Sequence, residues 1–394
     1  MQKLAQAWLV LELTDSGVLL GITAACQQIP TLLFTIRGGV LADRFDTRKI
    51  LVWTSIAAAI PAAVLGVLIL VDHVAIWTVM AAALFQGCAD ALDKPARLTI
   101  VNALVDEKNL TNAVTLNSVI QNSGKVAGPA VAGILIGTVG LAPAFLVNAA
   151  SYLPVIAALI AIRARTPGRT SLSADRQYQL NKTLGYVRGH AAIAATLIVM
   201  TVAGLLAYNW TVLLPLLVRT TFGGDAQDVG FAFTAMGLGA IVGGLAVAGS
   251  LSATSRALVG TGLVFTVLTL GLALSPTMTV VYITLFVLGG ASMAFRATAT
   301  SLLQLRSDPA MRGRVISLLV LATAGTTPIG GPLIGWICQV ANPQIACVVA
   351  AVGTGVAVLA AGTYLVRSRR HDAAAEPTPD ARVDPSAVDS DAAI

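Results

Sequence analysis

Gly39-Val40-Leu41-Ala42-Asp43-Arg44-Phe45-Asp46-Thr47-Arg48-Lys49 is a short charged turn set between two long apolar runs, at about residues 17–42 and 50–71. About 20 apolar residues cross the hydrocarbon layer as a helix, so this turn joins two spans with little slack. Windows of that length give further runs near 75–94, 112–137, 141–163, 191–216, 229–250, 256–275, 278–300, 315–340 and 343–366. A shorter apolar start at residues 4–13 precedes them, with neither a basic leader nor a cleavage site. The windows thus give eleven runs long enough to span, and a start too brief to span alone.

Composition agrees. Of 394 residues, 56% are apolar and 11% are charged, and the mean hydropathy is +0.81. That is too little charge to cover a soluble protein of this length. The net charge of +6 follows membrane topology rather than a nucleic-acid surface. All but five of the 25 Lys and Arg residues fall in every second loop, counting from Gly39–Lys49. Arg219 lies on the opposite side, and Lys3, Arg37, Lys125 and Arg296 fall within spans. The bias predicts a multi-pass protein of a bacterial-type inner membrane with both termini cytoplasmic. Its partners are then the lipid bilayer and a small solute, with no nucleic acid.

No catalytic set can be assembled. Cys26, Cys88, Cys338 and Cys347 sit in apolar runs without metal-ligand spacing, and His73, His190 and His371 lie in loops, at a span boundary or in the tail. A phosphate-binding loop pattern is absent. The chain therefore reads as no enzyme, with no cofactor and no metal, and its energy must come from an ion gradient or from the solute's own.

The opening turn resembles the signature loop between helices 2 and 3 of the major facilitator superfamily, Gly-x-Leu-Ala-Asp-Arg-x-Gly-Arg-Lys. Gly39, Leu41, Ala42, Asp43 and Arg44 fit it, Asp46 and Thr47 depart from it, and Arg48 and Lys49 supply the basic pair. The Asp-Arg-Phe-Asp variant is similar to the branch of the enterobactin exporter and the macrolide efflux proteins. The resemblance runs from Trp8 to about Arg370 and implies an all-α membrane protein of twelve spans in two pseudo-symmetric six-helix halves. The family's first helix ends in a phrase similar to Gln6-Ala7-Trp8-Leu9-Val10, so the short start is expected to be a truncated first span, from either a start other than Met1 or a naturally short chain. The resemblance also implies a conformational latch in which Asp43, with Gly39, Arg44 and Arg48 around it, meets the start of helix 11 at Arg312 and Arg314.

An internal repeat supports the two halves. Gly87 and Gly128-Pro129 recur 203 residues later as Gly290 and Gly331-Pro332, the pattern of transporters built from duplicated halves. The halves are expected at 1–163 and 191–370, joined by a polar linker at 164–190 and followed by a disordered tail at 371–394. Leu180, Leu184 and Val187 at helical spacing make the linker either a short surface helix or a plain connection.

Charges and polar groups inside spans mark the candidate site, because each is costly at membrane depth. Lys125 follows Gln121, Asn122 and Ser123 and precedes Gly128-Pro129; it either faces a watery cavity or pairs structurally with an acid. Gln2, Gln6, Asn148, Tyr152, Asn209 and Trp210 are the other cavity candidates. Asp90 and Asp93 share a face of helix 4, and the repeat places Asp93 opposite Arg296. That pair is either an inner gate or two groups with separate partners, and Arg296 has the further option of reaching the interface. Glu12 is either a proton site or a solvated boundary acid. Proton coupling is implied by the resemblance alone, and Ala83 stands where proton-coupled drug antiporters carry an arginine. The function expected is export of a drug-like, macrolide-like or siderophore-like molecule by a monomer working through alternating access. An importer or lipid flippase of the same fold, and a transport-inactive sensor, are the alternatives.

Overall fold

The computed structural model describes residues 1–44, 46–105, 109–161, 183–247 and 254–375, and within them the side chains of 35–44, 98–99, 101–104, 110–111, 114–115, 118, 122, 247 and 368–375 are not described. Among the described residues the chain is helical throughout, with turns between helices and no strand. In lipid a backbone must satisfy its own polar groups, and a helix does so within one segment.

The first part of the chain forms α1 (Gln2–Thr14), α2 (Gly17–Arg44), α3 (Thr47–Leu70), α4 (Ile76–Leu104), α5 (Leu110–Val139), α6 (Leu141–Ala150) and α7 (Tyr152–Ala161). The second part forms α8 (Ala191–Leu206), α9 (Trp210–Leu216), a π-turn (Leu217–Thr221), α10 (Ala226–Val247), α11 (Ser255–Ala273), α12 (Met278–Arg306), α13 (Arg312–Ala324), α14 (Thr327–Val340) and α15 (Pro343–Ala375). Local chemistry sets several boundaries. Asp46 accepts the Arg48 backbone N–H at 3.0 Å and so starts α3. Gly140, at φ 92°, turns α5 into α6 with no intervening loop.

Among the described residues, nine helical segments are long and apolar enough to cross a membrane, so the count of twelve is not reached on length and composition. The shortfall has physical causes. Thirteen residues of α1 rise only about 20 Å, α4 carries Asp90, Asp93, Lys94 and Arg97, and α5 carries the polar run from Gln121 to Lys125. The segments Leu141–Ala161 and Arg312–Val340 do count as spans, although their helices are interrupted at Ser151 and Gly325. At the tail, α15 continues to Ala375, four residues beyond His371.

Packing repeats the sequence offset. The α2–α4, α3–α4 and α3–α6 contacts are matched by α10–α12, α11–α12 and α11–α15. The two most extensive crossings between the first seven helices and the rest are α2 on α14 and α5 on α10, and they are equivalents of one another under the same offset. Of the linker, residues 183–188 form one helical turn. Tyr186 and Val187 pack on the core, Leu184 is exposed, and the Asp308 N–H donates to the Tyr186 oxygen at 2.9 Å. Outside the bundle, Trp53, Trp77, Leu245 and Leu274 expose most of their side chains, which suits a surface facing lipid rather than water.

Candidate functional site

A cavity of about 500 Å³ lies between helices of both parts of the chain. Gln2 and Lys3 from α1, Gln27 from α2, Gln86 and Asp90 from α4, Gln121 and Lys125 from α5, Asn148 from α6 and Tyr152 from α7 line it, and Thr211 and Phe233 from α9 and α10 complete it. Several of these polar groups hold one another. Asn148 Nδ2 donates to Gln2 Oε1 at 2.7 Å, and Gln86 Nε2 donates to Asp90 Oδ1 at 3.2 Å. Polar side chains are set among apolar ones such as Leu4, Ala7 and Phe233 in its lining, so it is suited to hold an organic solute that carries polar groups. No group of three or more His, Cys, Asp or Glu with metal-binding geometry occurs among the described residues.

The cavity is closed at the end that carries Asp15 and Arg219. There Gly17 and Gly21 of α2 lie directly on Gly335 and Gly331 of α14; a Cβ on Gly21 would sit 2.4 Å from the Gly331 carbonyl oxygen. Ser16 Oγ and the Val18 N–H both donate to Gln339 Oε1, at 2.9 and 3.2 Å. Arg219, in the π-turn, forms an ion pair with Asp15 at 2.7 Å and lies 5.6 Å from the centre of the Trp8 ring. Trp8 Nε1 in turn donates to Glu12 at 2.7 Å. On the cavity wall itself, a Cβ on Gly124 would meet nothing within 4 Å.

The structure sorts the residues singled out in the sequence. Gln121, Lys125, Asn148, Tyr152 and Asp90 come together at the cavity. Gln6 is buried in α1 without lining it. Asn209 and Trp210 lie in the core instead. Asn209 Nδ2 donates to the Leu205 carbonyl at 2.7 Å where α8 breaks, and Trp210 packs edge-on against Phe265. Asp93 binds Arg97 at 3.0 Å and accepts from Thr54 at 3.2 Å, while Arg296 lies over Tyr208 at 5.3 Å. The two equivalent charges thus have separate partners in this state. Glu12 is exposed near the closed end.

Arg48 binds the end of a neighbouring helix in this structure. Its Nε donates to the Leu159 carbonyl at 2.6 Å and its Nη2 to the Ile160 carbonyl, so it caps the C-terminal end of α7, where a cation is favoured. Gly39, Asp43, Arg44 and Asn122 have side chains outside the described residues. Arg312 is exposed at the start of α13, and Arg314 reaches back to the Met311 sulfur at 3.7 Å. Sequence reasoning missed Lys3, Gln27 and Gln86 as cavity residues. For Gln86 the signal was its position four residues before Asp90, which puts both on one helix face.

A helical membrane bundle whose polar cavity is shared by two related sets of helices is the build of a solute transporter, not of an enzyme. The chain belongs to the family described as transmembrane secretion effectors, of the major facilitator type, whose profile matches residues 1–392. It is 25% identical over 334 residues to the staphyloferrin A transporter of Staphylococcus aureus, covering 84% of this chain and 83% of that one. Macrolide efflux protein A of Streptococcus pyogenes is 24% identical over 340 residues, covering 83% and 82%. The enterobactin exporter of Shigella boydii is 25% identical over 374 residues, covering 90% and 84%. In fold it is similar to the nucleoside transporter NupG, with a TM-score of 0.72 at 13% identity over 92% of this chain and 96% of that one. A bacterial homologue of ferroportin in an inward-facing state gives 0.68 at 15% identity, over 92% and 96%.

Proposed function

We propose that this protein exports a siderophore-like, macrolide-like or other drug-like organic molecule across a bacterial inner membrane. In this reading residues 1–163 and 191–370 are two six-helix halves that rock about the cavity, with both termini and the Gly39–Lys49 turn in the cytoplasm. The observation that supports it is a cavity lined from both parts of the chain, with the bundle packed shut beside it where α2 crosses α14 at the Asp15–Arg219 end. In this reading a solute enters from the cytoplasmic side. Release outward requires the Asp15–Arg219 end to part and the other end to shut, where the Asp43 latch would act.

The test is accumulation in everted membrane vesicles, with and without a proton gradient. Uptake that collapses with the gradient is expected for a proton-coupled exporter. Uptake only in right-side-out vesicles would instead make the chain an importer. Lys125 gives a sharper check, since it lines the cavity from the polar run of α5. Lys125→Ala is expected to lower the transport rate tenfold or more while membrane abundance stays near wild type, since a charge-assisted contact is worth about 1.5–3 kcal/mol. Loss of the protein from the membrane would make Lys125 a folding residue.

A further inference from the structure

We propose that an anionic phospholipid occupies a groove between α11 and α15, its phosphate held by Arg256 and Arg367 and an acyl chain laid along the two helices. The site is separate from the central cavity and does not depend on the direction of transport. The groove has a volume of about 830 Å³. Val259 of α11 and Leu359, Leu365 and Val366 of α15 give it apolar walls, and the two arginines, one from each helix, belong to the same lining. Leu359 and Val366 are each 54% exposed, so this wall faces outward from the bundle. Both arginines are exposed, and among the described residues neither enters an ion pair. Arg256 is the second residue of α11, and Arg367 lies about two turns beyond Leu359. Pro343 begins α15 just after Gln339, which is bonded to Ser16 at the closed end. Arg367 is about 36 Å along the helix from there, a full hydrocarbon thickness. The pair therefore stands at the opposite membrane surface, the cytoplasmic leaflet on the proposed topology.

The other half of the repeat sets this groove apart from an ordinary gap between helices. In the first part of the chain the equivalent joint, α3 against α6 and α7, is filled. Leu51 and Leu159 are buried there with Ala96 and Ile100, and Arg48 bonds the Leu159 and Ile160 carbonyls across the joint. The positions 203 residues on, with one residue to either side, read differently. Leu51 is matched by Ala253-Thr254-Ser255 and Leu159 by Ala361-Gly362-Thr363, none larger than threonine. Arg48 is matched by Ser250-Leu251-Ser252, which carries no cation. The groove opens at this place, and Ser255 and Gly362 line it. An apolar slot at the membrane surface beside two cations fits a lipid, whose chain covers the walls and whose phosphate meets the guanidinium groups. A free anion would leave the walls bare, and a zwitterionic headgroup would bring its own cation against the arginines.

The test is native mass spectrometry of the full-length protein, stripped of lipid in detergent and titrated with phosphatidylglycerol or phosphatidylcholine of the same chains. Phosphatidylglycerol is expected to bind about tenfold or more tighter than phosphatidylcholine. Arg256→Gln/Arg367→Gln is expected to remove that preference. The control Arg188→Gln/Arg306→Gln, at two exposed arginines outside the groove, is expected to keep it. Gly362→Leu, which puts back the side chain that fills the first half's joint, is expected to weaken both lipids. A Cβ there meets only the Val259 side chain, at 3.3 and 3.7 Å. Equal affinity for the two lipids would make the groove a general lipid seam, and displacement of phosphatidylglycerol by inorganic phosphate would make the occupant a free anion; either overturns the proposal. So does an unchanged preference in the arginine pair variant, or wild-type lipid binding in a folded Gly362→Leu. If Gly362→Leu does not fold, the arginine pair and its control decide. The export reading fails separately: this lipid bound, with no transport in either vesicle orientation, keeps the site and sinks the export.

Discussion

Gly21→Val is expected to lower transport at least tenfold while leaving the protein abundant and folded in the membrane. A Cβ at residue 21 would lie 2.4 Å from the Gly331 carbonyl oxygen and 2.6 Å from both the Gly331 carbonyl carbon and Pro332 Cα. All three are backbone or backbone-attached atoms of α14, so no rotamer change relieves the overlap and the two helices must move apart. Overpacking of this kind costs about 1–3 kcal/mol, or roughly 5- to 150-fold in a two-state equilibrium. In the proposed alternating-access cycle the cost falls on one state only, that in which α2 and α14 touch and the Asp15–Arg219 end is shut. The variant should therefore populate the state open at that end. Nitroxide labels at Leu13 and Val340, with the four native cysteines replaced by alanine, report the opening as a longer inter-label distance. Gly260→Val is the control: a Cβ there meets nothing within 4 Å, so neither distance nor transport should change. Equal distances in Gly21→Val and wild type would mean that the crossing does not gate the cavity.

How much of this was legible in the sequence depends on whether polarity marked it. Spans, loops and the 203-residue repeat were legible because apolar length and basic loops carry that information directly. Lys125 was legible as a cavity residue because four polar groups in five positions have no cheap place in lipid. The α2–α14 crossing was not. Gly17, Gly21, Gly331 and Gly335 are four apart in each helix, but the face a membrane helix turns to a neighbour is as apolar as the face it turns to lipid. Asn209 misled for a related reason. Its amide is spent on the Leu205 carbonyl, one of the groups freed where α8 ends, so it mends a broken helix instead of lining the cavity. The partner of Arg48 was not legible either, because a cation in a tight turn reads the same whatever carbonyl it meets, here those at the end of α7.

Reversing the charge at Arg219 is expected to abolish most transport, and reversing Asp15 with it to restore part. Arg219 is held from two sides, by the Asp15 carboxylate at 2.7 Å and by the Trp8 ring at 5.6 Å. Asp15 is largely exposed, at 77% for its side chain, so the ion pair is screened and is worth about 0.2–1 kcal/mol. The ring contact adds about 0.5–1 kcal/mol. Arg219→Glu loses both and sets a carboxylate beside Asp15, with the exposed Glu12 carboxylate bonded to the indole of Trp8. The Asp15 and Trp8 contacts of Arg219 span the two parts of the chain at the closed end, so repulsion there is expected to favour the same opening as Gly21→Val. In the double variant Asp15→Arg/Arg219→Glu the ion pair re-forms reversed, but the anion now faces the electron-rich ring of Trp8. Restoration is therefore incomplete, and adding Trp8→Leu should raise it. Transport rates and the Leu13–Val340 distance are measured together across the single, double and triple variants. If Arg219→Glu transports normally, or if the double variant is no better than the single, the pair is an incidental surface contact and the end is held shut by the glycine crossing alone.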